Sequence, residues 1–146
     1  MDFTLSETQQ QIVDKAGRVA KECLEPRAAE YDASVRHTLE SWNDLWKHDL
    51  LAVSVPQEYG GLGVDMLAYI MVIERLAHGC TNTTMTLHMH SLVQQVINAL
   101  ATPEQKERFY RDVVDEGRLF GSWGSEPGGR GGTRAGKTTV ITPTKG

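Results

Sequence analysis

Cysteine is scarce: the 146-residue chain has two, Cys23 and Cys80. Their separation fits neither C-x-x-C nor any zinc-site spacing, so the pair reads as two reduced thiols of a cytosolic protein. Blocks of like charge are also missing, and the net charge of −4 is spread along the chain. That argues against a nucleic-acid partner and against an acidic membrane surface. No apolar run approaches the roughly 20 residues that span a bilayer. The N-terminus, MDFTLSETQQQ, is acidic and polar where a signal peptide is basic and then apolar. These absences predict a cytoplasmic protein with no nucleic-acid and no membrane partner.

What is present is helix signal. Hydrophobic residues make up 40% of the chain and charged residues 23%, the balance of one ordinary globular domain. Ser6 and Gln9 form a capping box ahead of Ile12, Val13, Ala16, Val19, Ala20, Cys23 and Leu24 at helical spacing. Pro26 is expected to kink or end that helix, because it has no N–H to donate. A second helix starts near Thr38, with Leu39, Trp42, Leu45, Trp46 and Leu50 on one face; four-residue spacing assigns the tryptophans to the core. The run Leu51 to Pro56 leads into a Gly60-Gly61 loop that permits positive φ. Asp65 caps a third helix carrying Leu67, Ile70, Met71, Ile73, Leu76 and Ala77, with Gly79 at the position of a C-terminal cap. In the fourth, Met85, Met89, Leu92, Val93, Val96, Ile97 and Leu100 form an apolar stripe wide enough for a buried helix. Thr102-Pro-Glu-Gln105 opens a fifth that ends near Gly117. Beyond it, Leu119–Ser125 and Thr138–Thr142 read as strands.

Two motifs invite stronger chemistry and lack its context. Gly131 to Thr138 (GGTRAGKT) matches the phosphate-loop pattern G-x-x-x-x-G-K-[ST]. Such a loop runs into a helix whose N-terminus meets the phosphates, whereas Thr138 runs into strand-like Thr-Val-Ile-Thr and then Pro143. His88 and His90 lie two apart, so on a helix they face different ways and do not share an ion. Each reads as a lone histidine at a helical pocket, and no metal site is expected.

Five segments taken together resemble the acyl-CoA dehydrogenase family. They are Met1 to Gln9, Glu25 to Asp32 (EPRAAEYD), Val55 to Gly63 (VPQEYGGLG), Thr102 to Arg108 (TPEQKER) and Ser125 to Gly128 (SEPG). The resemblance implies a mainly α fold: an up-and-down helical bundle of the family's N-terminal type over residues 1–117, followed over 118–146 by the incomplete start of a middle β domain. It implies a flavoenzyme that uses FAD to oxidise the Cα–Cβ bond of an acyl-CoA thioester. The family's glutamate base lies in a later domain, so no catalytic residue is expected here, and the isolated chain is expected to be inactive. An electron-transfer protein as acceptor and a homo-oligomer at full length are implied in the same way.

By the same resemblance, Ser122, Trp123, Gly124 and Ser125 border the flavin, with backbone and hydroxyl groups offered to the ring edge. Thr83, Thr84 and His88 border the acyl chain, and Gly131 takes the substrate-facing position. The family pattern after the proline is Gly-Ala-Gly-Ser-Asp, whereas here it is Gly128-Gly-Arg-Gly-Gly132, which removes a hydroxyl and an acid and adds Arg130. That departure keeps open a flavin monooxygenase of the same fold. A helical interaction module without flavin stands as the other alternative.

Overall fold

The computed structural model describes residues 4–122. Helix α1 (Glu7–Val19) starts at the expected capping box: Ser6 Oγ accepts the Gln9 N–H at 3.3 Å, and Gln9 Oε1 accepts the Ser6 N–H at 2.8 Å. It does not stop at Pro26. A π-helical turn, Ala20–Leu24, intervenes, and α2 (Glu25–Ser34) continues from it. The Glu25 N–H bonds to Ala20 O, five residues back. That wider turn takes up the bond Pro26 cannot make and gives its ring room, so the expected break becomes a bulge.

Four further helices follow: α3 (Leu39–Lys47), α4 (Met66–Gly79), α5 (Thr81–Leu100) and α6 (Pro103–Val114). Helices α1 and α4 run side by side in the same direction, since Gln9 Nε2 donates to Asp65 Oδ2 at 2.8 Å near their starts and Ala20 meets Gly79 near their ends. The core between the helices holds Val13, Leu24, Tyr31, Leu45, Leu76, Leu87 and Tyr110, all fully buried. On α3, Trp42, Leu45 and Leu50 just beyond it are buried as expected, while Leu39 is exposed. On α4 the inner face is Ala68, Tyr69, Val72 and Leu76, rotated from the expected stripe, and Ile70 is exposed. Among the described residues there is no strand; Leu119 to Ser122 carries no regular structure, and residues 123–125 and 138–142 lie outside them.

Helix α5 is turned the other way from its apolar pattern. Met85, Met89, Leu92, Val96 and Leu100 face outward, and Thr83, Thr84, Leu87, His90, Ser91 and Gln94 face in. The reason lies in residues 48–65, which connect α3 to α4 with two short 3₁₀ turns, Leu50–Ala52 and Gln57–Tyr59, and bury Leu50, Leu51, Ala52, Val53 and Val55. Buried backbone outside regular helix still needs hydrogen-bond partners. Gln94 Nε2 donates to Leu51 O at 2.8 Å and Asn98 Nδ2 to Ser54 O at 3.0 Å. An apolar face on α5 would leave those carbonyls unpaired.

Gly79 is not the left-handed cap expected of it, since its φ is not positive and Cys80 follows in an extended conformation. A Cβ there would stand 2.5 Å from Ala20 O and 2.9 Å from Ala20 C, so glycine is required by the approach of α4 to the π turn. Helix propensity alone would make Gly79→Ala stabilising by about 1 kcal/mol. The close approach reverses the sign, and urea denaturation is expected to show a loss of about 1–3 kcal/mol.

Candidate functional site

Helices α4 and α5 diverge enough near their shared turn to leave a cleft of about 180 Å³ lined by Ile73, Ala77, Thr81, Thr84, Met85 and His88. Thr84 presents its methyl group to this space, because its hydroxyl donates to Cys80 O at 2.9 Å in the first turn of α5. Thr83 does not line the cleft; it is fully buried, with Oγ1 against Cys80 Sγ at 3.3 Å. His88 is the polar exception. Its Nδ1 lies 2.8 Å from the Tyr69 hydroxyl, and the two rings stack at 6.1 Å between centroids. Burial raises the Tyr69 pKa, with Ser91 opposing, so the phenol keeps its proton. The cleft is an apolar slot with one imidazole held by Tyr69.

His90, two residues on, faces the opposite side of α5 and is fully buried. Its Nδ1 accepts the Phe120 N–H at 2.9 Å, its ring meets Trp42 edge-on at 5.1 Å, and Phe120 lies against it at 5.3 Å. Trp42 Nε1 in turn donates to Gly117 O, and Trp46 Nε1 to Val114 O, each at 2.8 Å. Gly117 has φ +65°, and a Cβ on it would meet Trp46 Cδ2 at 2.7 Å. The end of α6 and the segment leaving it are thus held at three points by α3 and α5. Burial pulls the His90 imidazole down to about 4, opposed by a hydrogen bond with the Leu51 backbone. It stays neutral, as an acceptor Nδ1 requires.

Of the residues expected at the flavin, Ser122 is described: it is exposed and lies two residues beyond the His90-bonded Phe120. Trp123, Gly124, Ser125 and the substrate-facing Gly131 lie outside the described residues, as does the phosphate-loop match. Of those expected at the acyl chain, Thr84 and His88 share the cleft, whereas Thr83 packs behind it. Tyr69 was absent from the sequence expectation, and His90, expected like His88 at a helical pocket, is instead enclosed in the core. Their partners lie 19 and 30 residues away, and no local pattern encodes such pairs. The two histidines do not converge, and the described residues contain no cluster able to hold a metal ion. Nor does any described helix have the length and apolarity to cross a membrane.

The buried, neutral His90 gives stability a pH dependence. As pH falls, the unfolded chain takes up its proton first, near 6.5, while the folded ring resists to about 4. The His90 contribution to the unfolding free energy is expected to drop by about 3 kcal/mol between those limits. Urea titrations of wild type and His90→Asn across this window check it: the wild type should fall by more than the variant.

The sequence model of the acyl-CoA dehydrogenase N-terminal domain matches residues 6–117. The short-chain acyl-CoA dehydrogenase of Clostridium acetobutylicum is 30% identical over 148 aligned positions, covering 100% of this chain and 38% of the relative. The butyryl-CoA dehydrogenase of Megasphaera elsdenii superposes with a TM-score of 0.72 at 28% identity, over 82% of this chain and 32% of that one. A chain from a study of the electron-transferring flavoprotein of Acidaminococcus fermentans gives 0.74 at 29% identity, with coverage of 82% and 32%. This chain therefore spans about a third of the length of these relatives. The domain match over 6–117, the helical fold and these likenesses agree: the chain belongs to the acyl-CoA dehydrogenase family.

Proposed function

We propose that this chain is the N-terminal portion of a flavoenzyme that oxidises the Cα–Cβ bond of an acyl-CoA thioester, with residues 1–117 as the helical domain and 118–146 as the start of a β domain. The observation that carries the reading is the cleft between α4 and α5, in which Thr84 turns its hydroxyl away and Ile73, Ala77 and Met85 supply hydrocarbon walls. Burying an acyl tail there is favourable by about 0.8 kcal/mol per methylene. Ser122 to Ser125 would border the FAD, which when bound accepts the hydride from the β-carbon. The chain's own part is to seat the substrate tail, exclude water from it and set its distance from the flavin. The base that removes the α proton is supplied from outside residues 1–146.

Further features fit the same reading. The outward stripe on α5, from Met85 to Leu100, is a face suited to cover by another domain or subunit, consistent with a homo-oligomer. The likeness to a chain studied with an electron-transferring flavoprotein supports an electron-transfer protein as acceptor. A cytoplasmic location belongs to the proposal too.

A chimera tests this directly: residues 1–146 in place of the matching N-terminal part of the Megasphaera butyryl-CoA dehydrogenase. It is expected to purify with FAD and to lose its flavin colour when butyryl-CoA is added without oxygen. Filling the cleft with Ala77→Phe should lower kcat/KM about tenfold, equivalent to about 1.4 kcal/mol, with FAD content unchanged. A folded chimera that holds flavin, ignores acyl-CoA and consumes oxygen once reduced would favour the monooxygenase reading. A folded chimera without flavin would refute both.

A further inference from the structure

We propose that His90 is a positioning residue: by accepting the Phe120 amide it fixes where the chain leaves the helical domain, and α5 thereby sets the spacing between the acyl cleft and the segment that starts at Ser122. The functional half of this rests on the reading above that residues 122–125 border the flavin.

The His90 ring is enclosed between Trp42 and Phe120, so it cannot touch a substrate. The groups that face it are the Trp42 indole of α3, the Leu51 carbonyl, the Gln94 amide of α5 and Phe120, none of them charged. A neutral imidazole in such a place carries a desolvation cost unless its nitrogens are bonded. What it does for the fold is accept a backbone N–H that lies in no helix, 30 residues away in the chain.

That bond is the last of three grips, after Trp46 on Val114 and Trp42 on Gly117. Two residues of chain reach at most about 7 Å, so Ser122 cannot stray further than that from the anchored Phe120. His88 lines the acyl cleft from the same helix, two residues or about 3 Å of helical rise away. One rigid element therefore carries both the wall of the cleft and the anchor of the exit segment. A one-residue slip of Phe120 against His90 would shift everything after it relative to the cleft.

The test has two arms. In the ¹⁵N-labelled 146-residue chain, the Phe120 amide should be protected from hydrogen exchange. In His90→Leu it should exchange roughly tenfold faster, as loss of one hydrogen bond allows, while His90→Asn, whose side-chain oxygen replaces Nδ1, should retain protection. If His90→Leu compromises folding, Phe120→Pro removes the donor from outside the helices; it should leave the bundle folded and raise exchange at Gly121 and Ser122. Unchanged protection in a folded His90→Leu chain would overturn the proposal and leave the flavin reading standing.

In a chimera that stays folded, His90→Leu should lower FAD occupancy or shift the flavin absorption bands, and His90→Asn should restore them. Identical flavin signals in all three proteins would overturn the positioning role even with the Phe120 bond confirmed. A flavin-free chimera with wild-type His90 would instead sink the flavin reading and the functional half with it, while Phe120 exchange would still decide the bond.

Discussion

Non-helical backbone passes through or against the interior of this domain, and it has to be hydrogen-bonded there. Two stretches are involved, residues 48–65 between α3 and α4 and the end of α6 with the residues that leave it, 114–122. Side chains from α3 and α5 supply the partners: Gln94 for Leu51, Asn98 for Ser54, Trp42 for Gly117, Trp46 for Val114 and His90 for Phe120. An unpaired buried amide or carbonyl costs about 1–3 kcal/mol, so five such groups left open would be comparable to the margin by which small domains fold. Much else in the domain follows from this requirement. It explains why α5 buries polar residues, why both tryptophans sit at the end of α6, and why Gly117 leaves space for an indole.

The same requirement shapes the two faces of α5. Because its polar side is committed inward, Met85, Met89, Leu92, Val96 and Leu100 are left outward. Near its N-terminus that arrangement produces the apolar cleft, where helix α4 supplies Ile73 and Ala77 and the first-turn threonine bonds to its own helix. Tyr69 then holds the one imidazole in the slot at a fixed angle. His88 and His90 look like a pair in the sequence, but in the fold one lines the cleft and the other anchors the exit segment.

The parallel pair α1 and α4 forms the other half of the frame. Their contact is tight enough that Gly79 touches the Ala20 backbone, and it occurs at the π turn that accommodates Pro26. A bulge and a glycine, each unfavourable in an isolated helix, are compatible here because each makes room for the other. Arg27 strengthens the junction: it donates to Cys23 O at 3.0 Å and to Asp44 at 2.6 Å, tying α2 to α3.

Local chemistry in the sequence was sufficient for the helix starts. The capping boxes at Ser6 and Thr102 and the Asp65 cap form as written, because each bond closes within three residues. The family was legible too, since its segments recur in order, and the resemblance is what singled out Thr84 and His88, which the fold places in one cleft. The sequence did not decide which face of α5 turns inward, whether Pro26 ends a helix, why Gly79 is glycine, or that Tyr69 and His90 matter. Those outcomes depend on groups 19 to 75 residues apart meeting in space. Hydrophobic periodicity reports how a helix would bury itself against apolar partners. Here the partners were backbone carbonyls and amides, and only the tertiary structure could show that the polar face was the one the core required.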